Sequence, residues 1–265
     1  MNIIKHIGTA IIVALSALPA SYSVAQPGEL PKEIFLGATE WCPYSCGDVD
    51  TTLNPPHKPG IVTEYLRYIL AKYGVAVNVE ILPWSRAVSE AEGGLLDGLL
   101  TAVHEEVETL SLTDVPTMSY QSCFYVLNTN RWQYQGTDSL AGMHLGAIAG
   151  YGYGREIDPY LAEHAQREDI VTQISGQNGK ERLPMMLYGH RIDAYLADRH
   201  VEAWRLTSSG SQADTHSAGC IAEEPFYVAF NPQKKWTKDI IGLLNQEFAD
   251  PENQAHLKEI IRRYM

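Results

Sequence analysis

The chain has 265 residues, a formal net charge of −12 at pH 7 and 45% hydrophobic residues. This composition is typical of a globular protein, and the length allows one large domain or two lobes of about 100–120 residues each. An acidic chain argues against nucleic acid and against anionic membrane surfaces as partners, because both are bound through basic patches.

The N-terminus has the three parts of a secretory signal. Lys5 supplies the positive charge, an apolar run extends from Ile7 to Leu18, and Ser23-Val24-Ala25 offers small residues for cleavage. The run is too short to cross a bilayer, which takes about 20 residues, and no later stretch approaches that length. We predict a signal peptide at 1–25, cleaved after Ala25. No cysteine at the cleavage point could accept a lipid, so we expect a periplasmic protein without membrane insertion.

The four cysteines are Cys42, Cys46, Cys123 and Cys220. In an oxidising compartment an even number of cysteines indicates disulfides, here with three possible pairings. We favour Cys42–Cys46, which closes a short loop, and Cys123–Cys220, which would join two segments that run side by side. Zinc is the alternative, but a lone C-x₃-C without a second pair is a weak zinc pattern. We therefore expect no metal.

The hydrophobic pattern alternates between strand and helix spacing in two series. The first series comprises a buried strand at 34–39, a helix at 61–73, a strand at 75–81, a short helix at 85–92 and a buried strand at 98–102. The second comprises strands at 144–149, 170–174 and 192–196 and helices at 155–166, 180–188 and 199–206. Such alternation predicts parallel sheets with crossover helices, an α/β architecture.

Two runs with strong β character, 123–127 and 226–230, are suited to cross from one lobe to the other. Two helices follow, at 235–249 and 252–264, with Asp250 as the expected N-cap and Pro251 as the first helical residue of the second. We expect the first lobe to comprise 26–122 and 225–265, the second lobe 123–224, and the two crossing strands to form a hinge.

Five motifs occur in an order and spacing that resemble family 3 bacterial extracellular solute-binding proteins, the periplasmic components of polar amino acid ABC transporters. The motifs are Ala38-Thr39-Glu40-Trp41-Cys42-Pro43-Tyr44, Gly60-x₃-Glu64, Pro83-Trp84-Ser85-Arg86-Ala87, Leu96-Asp97-Gly98 and Pro225-Phe226-Tyr227-Val228-Ala229-Phe230. The resemblance covers essentially the whole mature chain. It implies the type II periplasmic-binding-protein fold, two α/β lobes that close around a small polar solute.

The resemblance also implies a set of ligand-binding positions. The stacking aromatic corresponds to Trp41 or Tyr44, and the hydrogen-bonding loop after the third strand to Thr101 with Ala102. Gly150-Tyr151-Gly152-Tyr153 matches the loop that opens the second lobe's first helix, where backbone N–H groups form an anion seat. Asp198 matches the acidic residue that meets a ligand ammonium; the other interpretation is that it caps the following helix.

One position departs from the family. Amino acid binders of the family carry an arginine after the third strand, which pairs with the ligand carboxylate. Here the segment 101–108 has no arginine and three glutamates, so the ligand could be an amine or another cation. Glu40 and Glu64 could receive a cationic group, beside the aromatic residues Trp41, Tyr44 and Trp84. The acidic residues could equally form a solvated face.

Arg86 could reach the cleft or form an ion pair with Glu90 one helical turn later. No catalytic triad or metal-ligand spacing is present, and 150–154 lacks the glycine spacing of a dinucleotide site, so no cofactor is expected. Some relatives are dehydratases, and Glu40, Glu64 or Asp198 could act as an acid or base. We nevertheless expect a monomeric, non-enzymatic solute-binding protein that serves an inner-membrane ABC permease or a sensor receptor. A third possibility is a protein that kept the fold and lost the ligand.

Overall fold

The computed structural model describes residues 30–46, 58–175, 179–209 and 214–264. The predicted signal peptide and its cleavage site lie outside these residues. Among the helices that the structure describes, none is both long enough and apolar enough to cross a membrane.

The first lobe is built on a six-stranded sheet with the order β2-β1-β3-β11-β4, to which β5 adds by pairing with β11. Its strands are β1 (Glu33–Ala38), β2 (Ala76–Ile81), β3 (Gly98–Ala102), β4 (Ser111–Leu112), β5 (Met118–Tyr120) and β11 (Glu224–Phe230). Its helices are α1 (Ile61–Ala71), α2 (Trp84–Glu92), α6 (Thr237–Ala249) and α7 (Pro251–Tyr264). The strands β1, β2 and β3 are parallel, as the alternation predicted, while β11 is antiparallel to β3.

The second lobe is built on a five-stranded sheet with the order β10-β6-β9-β7-β8. Its strands are β6 (Ser122–Leu127), β7 (Leu145–Ile148), β8 (Val171–Ile174), β9 (Ala194–Asp198) and β10 (Thr215–Cys220). Its helices are α3 (Asp158–Glu163), α4 (Gly179–Tyr188) and α5 (Arg199–Ser209). The strands β7, β8 and β9 are parallel.

The hinge consists of the two connections between the sheets. The chain leaves the first sheet at Gln121, between β5 and β6, and returns through residues 221–223, between β10 and β11. The runs 123–127 and 226–230, which we expected to cross, lie instead within one sheet each, because both pair with strands of their own lobe. The strands that flank the two connections pair antiparallel, β5 with β11 and β6 with β10.

Both predicted disulfides are confirmed. Cys123 and Cys220 are register partners of β6 and β10, with Cα atoms 3.9 Å apart, so their disulfide joins the two strands beside the hinge. Cys42–Cys46 closes the loop that follows β1.

One second-lobe helix also packs on the first lobe. Val201 and Trp204 of α5 contact the first lobe's hydrophobic core, and the ring of Trp204 lies 5.7 Å from that of Tyr264. The apolar face of α5 therefore bridges the two lobes beside the hinge.

The helix expected at 155–166 is shorter than predicted, because α3 spans only Asp158–Glu163. The carboxylate of Asp158 accepts hydrogen bonds from the backbone N–H groups of Tyr153 and Gly154, at 2.8 and 3.1 Å. Residues 155–157 therefore form a turn and not the first turn of the helix. The segment 150–153 is thus separated from the helix N-terminus that the sequence suggested.

Candidate ligand-binding site

A cavity of about 110 Å³ lies between the two lobes, and both lobes line it. The first lobe contributes mainly aromatic and small polar residues, including Trp41, Trp84, Thr101, Tyr120 and Phe226. The second lobe contributes Ser122, Tyr151, Gly152, Tyr153, Lys180 and Asp198, among others. A ligand in this space would contact both sheets at once.

The cavity lies at the carboxyl ends of parallel strands. Trp41 follows β1, Thr101 lies at the end of β3, Tyr151 follows β7, and Asp198 ends β9. In open α/β sheets the connecting loops at these ends leave a crevice, which is where ligands bind. The strand order therefore brings together residues that are far apart in the sequence.

The loop that carries Trp41 is fixed from several sides. Trp41 and Ser45 form an isolated β-bridge, and the disulfide Cys42–Cys46 closes the loop. Gly60, which has a φ of 109°, packs against the loop. A Cβ atom at Gly60 would lie 2.4 Å from the carbonyl oxygen of Tyr44, so only glycine fits there. The loop is held in place before any ligand arrives.

Trp41 is the centre of an aromatic cluster on the first-lobe side of the cavity. Its ring centroid lies 4.4 Å from Tyr44, 5.5 Å from Phe226 and 5.8 Å from Tyr120. Such edge and tilted contacts favour a fixed ring position. Trp41, Tyr120 and Phe226 of this cluster border the cavity, and Trp84 also lines it.

Asp198 is buried at the end of β9, and its carboxylate accepts four hydrogen bonds. Oδ1 accepts from the backbone N–H groups of His200 and Val201, at 2.8 and 3.0 Å, and from the Tyr44 hydroxyl at 3.1 Å. Oδ2 accepts from the backbone N–H of Gln121 at 2.8 Å. Asp198 is therefore the N-cap of α5, and it also ties that helix to the hinge and to the Trp41 loop.

The electrostatics around Asp198 affect its two aromatic neighbours. Burial, and then the charge and hydrogen bond of Asp198, raise the pKa of Tyr44 well above its usual value, so the phenol remains a donor. Burial lowers the pKa of His200, although the Asp198 carboxylate acts in the opposite direction. The His200 ring contacts that of Tyr44, with centroids 6.1 Å apart.

Within the described part of the chain, four carboxylates border the cavity: Glu40, Glu106, Asp198 and Glu202. Lys180 at the start of α4 donates to Glu40 at 2.8 Å, an ion pair that spans the cleft. Glu202 is buried, pairs with Arg205 at 2.6 Å and accepts from the Tyr195 hydroxyl at 2.7 Å. Among the lining residues that the structure describes, these four carboxylates outnumber the single lysine or arginine, Lys180.

No protein-family model and no curated protein matches this chain. Several solved structures do. AbpA, an amino acid ABC transporter substrate-binding protein from Streptococcus pneumoniae bound to L-arginine, is 14% identical, with a TM-score of 0.67, over 88% of this chain and 94% of its own. A histidine kinase sensor domain with similarity to periplasmic binding proteins is 15% identical, with a TM-score of 0.69, over 88% of this chain and 96% of its own.

An ancestral amino acid-binding protein, described as a precursor of cyclohexadienyl dehydratase, is 14% identical, with a TM-score of 0.64, over 88% of this chain and 95% of its own. This chain has the two-lobed fold of the periplasmic binding proteins. The predicted fold class is therefore confirmed. At 14–15% identity these structures show the fold and not the ligand. The residues of this chain alone indicate the chemistry of its cleft.

Seven of the ten predicted ligand-binding residues line the cavity of this binding-protein fold. They are Trp41, Trp84, Thr101, Tyr151, Gly152, Tyr153 and Asp198. Their contact with a ligand stays a prediction.

The other three predicted residues lie elsewhere. Tyr44 is fully buried behind Trp41 and donates to Asp198. Glu64 accepts from Arg263 and from the Tyr264 hydroxyl, at 2.6 and 2.7 Å, which joins α1 to α7. Arg86 is exposed and donates to Glu90 at 2.6 Å. Each of these side chains therefore has a partner within the protein and lies outside the lining of the cavity: Glu64 and Arg86 within the first lobe, and Tyr44 across to the second.

Part of the predicted anion seat is occupied by the protein's own carboxylate, Asp158. The N–H groups of Tyr153 and Gly154 donate to Asp158. A Cβ atom at Gly152 would lie 3.1 Å from Oε1 of Glu106, so that carboxylate closely approaches the same loop from the first lobe. The glycines of this loop permit a cross-lobe contact with Glu106.

The site also includes residues that the sequence analysis did not assign, notably Glu106, Lys180, Tyr120 and Phe226. Glu106 belongs to the acidic segment 101–108, for which the sequence left two interpretations open, a site for a cation and a solvated face. Lys180 was recognised only as the start of a helix. Lys180 lies where the loop after β8 enters α4, at the same edge of the sheet as the carboxyl end of β7. That position could have indicated a place in the cleft.

Proposed function

We propose that this protein captures a small polar solute between its two lobes in the periplasm and delivers it to an inner-membrane ABC permease. The observation that carries the proposal is the cavity between the lobes, to which β1 and β3 of one lobe and β7 and β9 of the other all contribute residues. The match with AbpA, which extends over 94% of that chain, supports the same use of the fold.

The mechanism follows from the fact that each lobe supplies one wall of the cavity. In an open form the ligand contacts one wall; closure about Gln121 and residues 221–223 adds the second wall and the Lys180–Glu40 ion pair. A ligand that contacts both walls binds the closed form more tightly and shifts the population towards it. The permease would distinguish the loaded protein by this closed shape. The predicted signal peptide, cleaved after Ala25, would place a freely diffusing monomer in the periplasm.

A sensor role is the second candidate, because a histidine kinase sensor domain shares this fold. In that case a membrane receptor, and not a permease, would recognise the closed form. Turnover is not part of the proposal, although one fold relative is described as the precursor of a dehydratase. What supports binding is the state of the cleft carboxylates: Asp198 accepts four hydrogen bonds, and Glu40 is paired with Lys180.

Thermal-shift and tryptophan-fluorescence titrations of the mature protein with amino acids, amines, sugars and organic acids test this proposal. Trp41 and Trp84 line the cavity, whereas Trp132 packs against Phe124 inside the second lobe. We expect one solute class to raise the melting temperature and change the fluorescence. Trp41→Phe should reduce the fluorescence change, and Trp132→Phe should retain it. If no solute class alters melting, the proposed function is wrong. Chemical conversion of a bound solute would show an enzyme.

A further inference from the structure

We infer that the cleft selects an organic cation without a carboxylate, an amine or quaternary ammonium on an apolar or aromatic body. The inference rests on the proposed function and names its substrate class. It follows from three properties of the cavity: the missing partner for a carboxylate, the excess of negative charge in the lining, and the aromatic walls.

Among the residues that the structure describes, the cavity offers a ligand carboxylate no arginine, and its one lysine is already paired. Every arginine of the chain lies within the described residues, and none lines the cavity. The two arginines adjacent in sequence to lining residues have partners outside the lining: Arg199 donates to Gln121 and Glu223, and Arg182 donates to the carbonyl oxygen of Ser175. Arg205 is paired with the lining residue Glu202. The remaining cation, Lys180, is paired with Glu40. A carboxylate buried here would lack the charged partner that offsets its desolvation.

In the loop 150–154, the backbone N–H groups of Tyr151, Tyr153 and Gly154 already donate within the protein. The loop 150–154, the natural anion seat of the second lobe, directs the N–H groups of Tyr153 and Gly154 to Asp158. The helix behind it, α3, has only six residues and begins at Asp158. The approach of Glu106 to Gly152 then adds a second carboxylate beside this loop, which repels a ligand anion.

The charge of the lining favours a cation. Glu40, Glu106, Asp198 and Glu202 border the cavity, against Lys180 in the lining and Arg205 behind Glu202. Unlike charges attract more strongly in a cleft of low effective dielectric than in water, and like charges repel more strongly. An ammonium group is therefore stabilised in this space, and a carboxylate on the same ligand is destabilised.

The walls are suited to the rest of such a ligand. Trp41, Trp84, Tyr151 and Phe226 border the cavity from both lobes. Aromatic faces attract ammonium groups, tryptophan most strongly, and they also pack against apolar carbon chains. Thr101 and Ser122 supply hydroxyl groups that can accept from an N–H donor. This combination fits a cationic head on a short apolar or aromatic body.

Isothermal titration with organic cations and their carboxylated counterparts tests the inference. The pairs are agmatine and arginine, tyramine and tyrosine, cadaverine and lysine, and choline and glycine betaine. We expect at least one amine or quaternary cation to bind at least about tenfold more tightly than its carboxylated partner. Equal or tighter binding of every carboxylated partner would overturn the inference. If the thermal-shift titrations show that only a sugar or an organic acid binds, this inference is wrong and the proposed function stands. If no compound binds in either experiment, both the inference and the proposed function are wrong.

Charge variants distinguish the effect of the cleft carboxylates on cation binding from the effect of the net negative charge of the chain. Glu106→Gln should weaken binding of the cation about tenfold, whereas Glu108→Gln, in the same acidic segment but exposed and outside the lining, should not. Lys180→Gln should leave cation binding equal or tighter; if it abolishes binding, Lys180 holds a ligand anion and the inference is wrong. Thermal unfolding of each variant checks that it remains folded.

Discussion

The Tyr44 hydroxyl lies 3.1 Å from Oδ1 of Asp198, and the two residues belong to different lobes. Tyr44 sits in the loop after β1, behind Trp41, and Asp198 ends β9 and caps α5. Because Asp198 also accepts from the hinge residue Gln121, one carboxylate connects the aromatic wall, the hinge and the helix that bridges the lobes. These contacts hold the two lobes together beside the hinge.

Replacement of Tyr44 by phenylalanine should destabilise the protein by about 1–2 kcal/mol. A hydrogen bond to a charged group contributes about 1.5–3 kcal/mol, and Asp198 retains three other donors. The exposed Tyr188 on α4 is the matched control, and its phenylalanine variant should stay within about 0.5 kcal/mol of the wild type. Chemical denaturation measures both; equal stabilities for the two variants would mean that the contact contributes nothing.

The stability of the protein should fall as the pH drops below about 6.5, the ordinary pKa of histidine, in part because of His200. Burial lowers the pKa of His200 in the folded state, Arg199 acts in the same direction, and Asp198 and Glu223 oppose it. The unfolded chain therefore binds a proton at a higher pH than the folded chain does. Denaturation from pH 5 to 8 should show a shallower slope for His200→Gln than for the wild type. Identical slopes would rule out this contribution.

The two disulfides should contribute unequally to stability. Cys123–Cys220 spans 97 positions and Cys42–Cys46 spans 4. Loop-closure entropy predicts a loss of about 4–5 kcal/mol without the first and about 2 kcal/mol without the second. The double alanine variants C123A/C220A and C42A/C46A, compared by denaturation under oxidising conditions, measure the difference. A larger loss from C42A/C46A would show that the short disulfide acts through the shape of the Trp41 loop.

The ion pair between Lys180 and Glu40 should contribute little to stability. Their side chains are 22% and 51% exposed, and exposed pairs typically contribute about 0.2–1 kcal/mol. A double-mutant cycle with E40Q and K180Q should give a coupling energy in that range at low salt, and a smaller one at high salt. Zero coupling at low salt would indicate that the two side chains do not pair in solution.

Local patterns predicted much of the fold. The helix α1 was recognisable because Ile61, Tyr65 and Ile69 recur at helical spacing and form its buried face. Asp250 was recognised as a cap, and it does accept from the N–H groups of Glu252 and Asn253. The pairing of Arg86 with Glu90, one of two interpretations, is likewise a contact within one helical turn.

The errors concern contacts between distant parts of the chain. Glu64 finds its partner Arg263 at a separation of 199 residues, which no local spacing reveals. Tyr44 and Trp41 are neighbours in one loop with the same aromatic character, and only the position of Asp198 decides that Tyr44 turns inward. The helix expected from residue 155 begins at Asp158, because the Asp158 side chain binds the preceding loop.

The most direct test is a distance measured across the cleft. Leu95 of the first lobe and Met185 of the second are 79% and 69% exposed, so fluorophores on cysteines introduced at these two positions should not disturb the core. Single-molecule energy transfer is measured with and without pooled amines, amino acids, sugars and organic acids. We expect at least one pool to shift the population towards a single closed distance, and Trp41→Ala to weaken that shift. A distance distribution that no pool alters would contradict the capture of a solute between the lobes.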